Sequence, residues 1–141
     1  MGLDIYGWVE TWNADRQEIW QAVVNVYPLL ARENEVFVYV FGITPAGNRV
    51  DSELAPLAAA RGIPPDASPE AREWDPVEEP HSGYKGHTWT LWSELEPTPW
   101  GHGTFPSGEP LPSNWRTLFD VMARLAQEYG TEHVRLIVWF A

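Results

Sequence analysis

Proline constrains this chain more than any other feature. Ten of its 13 prolines fall between Pro64 and Pro112. A proline inside a helix removes one hydrogen bond and clashes with the preceding turn, and inside a sheet it breaks the ladder. Gly83, Gly86, Gly101, Gly103 and Gly108 punctuate the same stretch. A structureless segment of this size is unusual in a compact domain. The region is therefore expected to be ordered, packed by Trp74, Tyr84, Trp89, Trp92, Trp100 and Phe105. The alternative is a proline-stiffened surface excursion. Within it, Ser68 with Pro69 at the first helical position predicts one or two helical turns. Thr88 or Thr90 is read as the cap of a short helix that presents Leu91, Leu95 or Trp92 to the core.

Outside that stretch the patterns are regular. Leu3, Ile5, Gly7 and Val9 alternate with Asp4, Tyr6, Trp8 and Glu10, which predicts a strand with one apolar and one mixed face. The mixed face either meets solvent at a sheet edge or floors a polar cleft. Asp15 to Leu30 reads as a helix and turn, with Asn13 as its cap and Pro28 ending it. Val36 to Phe41 is dense in β-branched and aromatic residues and reads as a strand buried on both faces. Ser52 to Arg61 is a further helix candidate, interrupted by Pro56 and stopped by Gly62.

The C-terminal third is the clearest. Trp115, Leu118, Phe119, Met122, Leu125, Ala126 and Tyr129 recur at helical spacing after Ser113, and Gly130 ends the run. Val134 to Phe140 is then a strand. The expected fold is α/β, with α+β as the alternative. It is a small three- to four-stranded sheet packed by the long C-terminal helix, within one domain of residues 1–141 that carries 64–112 as a Pro/Gly/Trp-rich insertion.

Composition narrows the function mainly by exclusion. With 20 acidic and 9 basic residues the net charge is −11. This argues against a nucleic-acid backbone binder, which needs clustered Lys and Arg. The acids are spread along the chain, more in keeping with solubility than with nucleic-acid mimicry. Cysteine is absent, which excludes disulfides, Cys zinc sites and a Cys nucleophile. No apolar run approaches a membrane span, and the N-terminus lacks the basic and apolar segments of a signal peptide. The expectation is a cytoplasmic protein that does not enter a membrane. Nine tryptophans in 141 residues are read mostly as core staples, with a subset lining a pocket or recognition face.

Three constellations bear on chemistry. His81-Ser82 and His87-Thr88 flank a glycine-containing turn. Converging imidazoles with a carboxylate such as Asp4, Glu10, Asp75 or Glu94 can bind zinc, act as acid and base, or simply line a polar pocket. Structural or surface histidines are the alternative. On the first strand, Asp4 and Tyr6 are close enough to meet one ligand. Asp4 and Glu10 are about 20 Å apart at strand spacing, too far to act as a pair. The plainer role for Asp4 is an ion pair with Arg61, Arg116 or Arg135, or acceptance of backbone N–H groups. Arg61, before Gly62-Ile63-Pro64-Pro65-Asp66, either holds an anion or ties the loop to a carboxylate.

These segments resemble a family of small uncharacterised proteins, common in bacteriophages and bacterial genomes, that open Met-Gly-Cys-Asp-Ile-His. The matching blocks are Met1-Gly2-Leu3-Asp4-Ile5-Tyr6, Val9-Glu10, Arg61-Gly62-Ile63-Pro64 with Asp66 and Ser68, His81-Ser82, Thr88 to Leu95, and Val134 to Phe140. Leu3 and Tyr6 stand where the family has Cys and His, so chemistry that needs either group is lost or replaced in this chain. The resemblance brings no named activity. It groups Asp4, Glu10, Arg61, Asp66, His81, Ser82, His87, Trp89 and Glu94 into one region.

The resulting expectation is a small-molecule-binding or hydrolase-like site formed by the first strand and residues 61–95. Asp4, His81 and His87 are its candidate catalytic residues. Tyr6, Glu10, Arg61, Asp66, Ser82, Trp89 and Glu94 are its candidate binding residues. No cofactor is implied. The alternative is a phage-type accessory module that binds another protein without catalysis.

Overall fold

A computed structural model describes residues 4–13, 15, 19–30, 36–43, 56–73 and 83–141. Four strands form one antiparallel sheet: β1 (Ile5–Asn13), β2 (Ile19–Asn25), β3 (Lys85–Leu91) and β4 (Val134–Phe140), in the order β2-β1-β4-β3. The helices are α1 (Pro69–Arg72), α2 (Trp92–Leu95) and α3 (Ser113–Tyr129). Every strand pairing is antiparallel and the helices do not alternate with parallel strands, so the class is α+β. Among the described residues no helix is long and apolar enough to cross a membrane.

The C-terminal helix and strand form where their patterns predict them. α3 buries Trp115, Leu118, Phe119, Met122 and Ala126, and Gly130 follows it. That stripe packs on β1 and β4. Ile5 and Val9 of β1 and Val134, Leu136, Val138 and Phe140 of β4 meet it in one core. Each large side chain so buried contributes about 1.5–3 kcal/mol relative to exposure.

The N-terminal half departs from expectation. Where a helix is expected over Asp15 to Leu30, Ile19–Asn25 is instead β2, the antiparallel partner of β1. Asn13 Oδ1 accepts the Asp15 N–H at 3.0 Å, a hydrogen bond shared by helix caps and Asx turns. Asparagine's short carboxamide serves both turns and caps, so sequence alone favours neither. Ile19, Val23 and Val24 then favour the extended form.

Val36 to Phe41 is not a strand. Phe37–Phe41 is a π-helical turn. Val36, Phe37, Val40 and Phe41 are all buried, a spacing that turns one helical side to the core. The Phe37 ring lies 5.0 Å from Phe140 and 6.0 Å from Trp115. Tertiary packing here overrides β-propensity. Of the helix expected over Ser52–Arg61, residues 52–55 lie outside the described residues. From Pro56 to Arg61 the chain forms turns and coil.

The proline-rich region holds more regular structure than its composition suggests. α1 forms as expected, with the Ser68 hydroxyl accepting the Ala71 N–H. Thr88 and Thr90 do not cap a helix; they belong to β3, and Leu91 is the residue before α2. Thr88 Oγ1 donates to the Ala58 carbonyl at 2.8 Å. This ties the edge strand to the turn before Arg61.

Candidate functional site

β1 is an interior strand, so its mixed face is not at a sheet edge. That outer face, opposite α3, carries side chains of both kinds. The register sets Tyr6 beside Trp139, Trp8 beside Ile137 and Glu10 beside Arg135. Trp89 stands beside Ile137 on the other flank. Residues from 61 to 73 cross this face. Ala67 and Ala71 are buried against Ile137 and Trp139, with Ile63 and Trp89 packed around them. Small alanines let the strap approach the sheet closely. Gly7 does the same within the sheet: a Cβ there would sit 1.9 Å from the Ile137 carbonyl oxygen.

An ion-pair network lies under the strap. Arg135 Nε donates to Glu10 Oε1 at 2.7 Å, and its Nη1 donates to Asp66 Oδ1 at 2.9 Å. Glu10 Oε2 accepts the Ser68 N–H at 2.7 Å. Glu10 is 0% exposed and Arg135 3%. The guanidinium carbon lies 3.8 Å from the Trp20 ring centroid. Two charges this deep are tolerated because each is matched by the other and by further hydrogen bonds. Among the described residues, Arg135 Nη2 has no acceptor. The network joins β1, β4 and the strap, and so fixes where Asp66 and Ser68 stand.

A cleft of about 380 Å³ opens beside it. Trp12, Ile19 and Trp20 form one wall, and Asp66, Ser68 and Pro69 contribute to the other. Trp12 and Trp20 meet edge to face at 5.7 Å. Arg72 lies at the cleft with its Nη2 donating to the Pro65 and Ala67 carbonyls, which holds the guanidinium in place.

A second network sits on the β3 side. Arg61 makes a bidentate pair with Glu94, Nη1 to Oε1 at 2.7 Å and Nη2 to Oε2 at 2.8 Å. It also donates to the Trp89 and Leu57 carbonyls and lies 5.3 Å from the Trp89 ring. Glu94 in turn accepts the Leu91 N–H at 3.1 Å. The Arg61 guanidinium holds the Glu94 carboxyl below the usual carboxylate range, against the opposing effect of burial. Of the two roles read for Arg61, this is the loop tie.

The sequence-predicted residues therefore fall into three groups. Glu10 and Asp66 share Arg135. Arg61, Trp89 and Glu94 form the tie. Tyr6 and His87 both border Trp139: Tyr6 is its cross-strand neighbour, and the His87 ring stacks on it at 6.0 Å. Asp4 exchanges backbone hydrogen bonds with Ala141 beside β4. β4 separates the chain at Asp4 from the strand that carries His87, a lateral spacing of about 9.5 Å. Arg61 pairs with Glu94 and Arg135 with Glu10 and Asp66, and Arg116 Nε donates to the Leu111 carbonyl. His81, Ser82 and Trp74 lie outside the described residues. Among the described residues no three His, Asp or Glu side chains group as metal ligands would.

Arg135 organises the outer face. The sequence signal was present: a lone charge in the apolar run Val134–Phe140 needs a buried counter-charge. Trp12 and Trp20 carried no comparable signal. The chain matches no family model, and no curated protein or solved structure is detectably similar to it.

Proposed function

We propose that this protein binds a small molecule in the cleft between Trp12, Ile19, Trp20 and the 66–72 strap. The observation that carries this reading is the cleft itself: a concave, mostly apolar space of ligand size with a few fixed polar groups at its border. The indole walls suit a flat apolar body. Arg72 and Asp66 offer a donor and an acceptor for one polar substituent. The reading needs no catalytic step.

A ligand-observed NMR screen of small aromatic amides, amines and carboxylates tests it, with the Trp12 and Trp20 indole N–H resonances as protein reporters. The expected result is a saturable shift of both resonances by at least one compound class, weakened about tenfold or more in Trp12→Ala, as loss of a buried aromatic contact implies. No shift at either indole, or shifts that survive Trp12→Ala, would overturn the reading.

The exposed apolar side chains of Ile19, Val23 and Tyr27, at 42%, 45% and 48%, favour a second reading. All three lie on or just after the edge strand β2. A protein-binding accessory module, as the phage-family resemblance suggests, would use that edge. Failure of the small-molecule screen together with retention of a partner protein by wild type but not by Val23→Lys would favour it.

A further inference from the structure

The outer face has another concavity, of about 240 Å³, toward the opposite end of β1 from Trp12. Its walls are aromatic: Tyr6, Trp8, Tyr27, Tyr84 and Trp139. Tyr6 and Tyr27 lie parallel with centroids 4.7 Å apart. Tyr84 stands at 72° to Tyr6, 5.1 Å away, and at 76° to Trp139, 6.5 Å away. These contacting rings, with Trp8, border one small volume.

The face of each ring is electron-rich, so several around one volume attract a cation. The charge balance agrees. Among the described residues no Lys or Arg lines the cleft, and the net charge of −11 draws cations toward the surface. Beyond the tyrosine hydroxyls and indole N–H groups, Asn25 is the polar side chain that the described residues contribute to this lining. A primary ammonium or a metal ion would exchange strong hydration for few hydrogen-bond partners here. A quaternary ammonium has no N–H to satisfy, and its methyl groups suit an aromatic wall.

We propose that this cleft is an aromatic cage for a quaternary or fully methylated ammonium group. It is carried by different side chains from the Trp12 cleft and stands independently of it.

The test titrates the protein with tetramethylammonium and with choline, reading the ring-current shift of the N-methyl protons. The uncharged carbon isostere of choline is the control. Both cations are expected to bind saturably and the isostere about tenfold more weakly, the range of a desolvated cation–π contact. Tyr84→Leu removes a perpendicular wall and is expected to weaken tetramethylammonium binding about tenfold. Tyr27→Leu, at a ring that is 48% exposed, is expected to weaken it several-fold. Circular dichroism confirms that both variants fold. Equal binding of the isostere would overturn the charge recognition. The absence of a saturable shift, or unchanged affinity in both variants, would overturn the cage.

Discussion

The two faces of the sheet are covered in different ways. On the inner face a 17-residue helix lays Trp115, Leu118, Phe119 and Met122 on β1 and β4. Contacts there are apolar and continuous. On the outer face an irregular strap crosses the sheet, with one four-residue helix in it. It is held by two alanines, by the Glu10–Arg135–Asp66 network with its buried Glu10 and Arg135, and through Arg61 by Glu94 at its near end. A helix can cover a face by repeating one residue type at fixed spacing. A strap cannot, and uses a few directional bonds instead. Such bonds leave room between them, and both clefts lie on the strapped face.

If this contrast is right, the faces respond differently to mutation. The largest effect is expected on the outer face. Glu10→Ala leaves Arg135 buried without its main counter-charge and should cost about 3–5 kcal/mol in urea unfolding. A loss below about 1 kcal/mol, the range of an exposed pair, would show that the strap does not depend on the network. On the inner face Leu118→Ala removes a fully buried side chain and should cost about 2–5 kcal/mol, according to how far the core collapses. It should leave ligand shifts in both outer clefts unchanged. If Leu118→Ala abolished those shifts at temperatures where the protein remains folded, the two faces would not be separable.

The smallest effect concerns the Arg61 tie. The Glu94 carboxyl titrates below its ordinary value in the folded protein because of Arg61. Its stabilisation is therefore present above the unfolded pKa and lost as pH falls through the depressed folded value. For a partly exposed pair this is worth about 0.5–1 kcal/mol at neutral pH. Glu94→Gln should be destabilised by that amount at neutral pH and should converge on wild type under acid. A difference that persisted at low pH would mean that Glu94 acts through packing rather than charge.

Legibility in the sequence follows the same division. α3 and β4 were readable because each is stabilised by a repeating pattern within its own residues. β1 was readable as a strand, and its mixed face as one that needed partners. The partner of Glu10 is 125 residues away, beyond any local pattern. β2 is hard to tell from a helix in the sequence because an asparagine such as Asn13 serves a helix cap and a turn with the same side chain. β3 was missed because Thr88 and Thr90 suit both a helix cap and a strand. What settled both was pairing with β1 and β4. The turn at Phe37–Phe41 went the other way: its residues favour a strand, but the inner core takes them on one helical side.

The sequence by itself determined the acidic charge, the absence of cysteine chemistry, the C-terminal helix and strand, and a polar requirement on the first strand. These are properties of composition or of short-range periodicity, so they hold whatever the rest of the chain does. Only the tertiary structure decided that Glu10 and Asp66 share Arg135, that Arg61 is a tie to Glu94, and that the outer-face aromatics divide into two clefts. Those outcomes depend on strand order and register. A strand's side chains change faces with a shift of one residue, so local sequence cannot determine which of them meet.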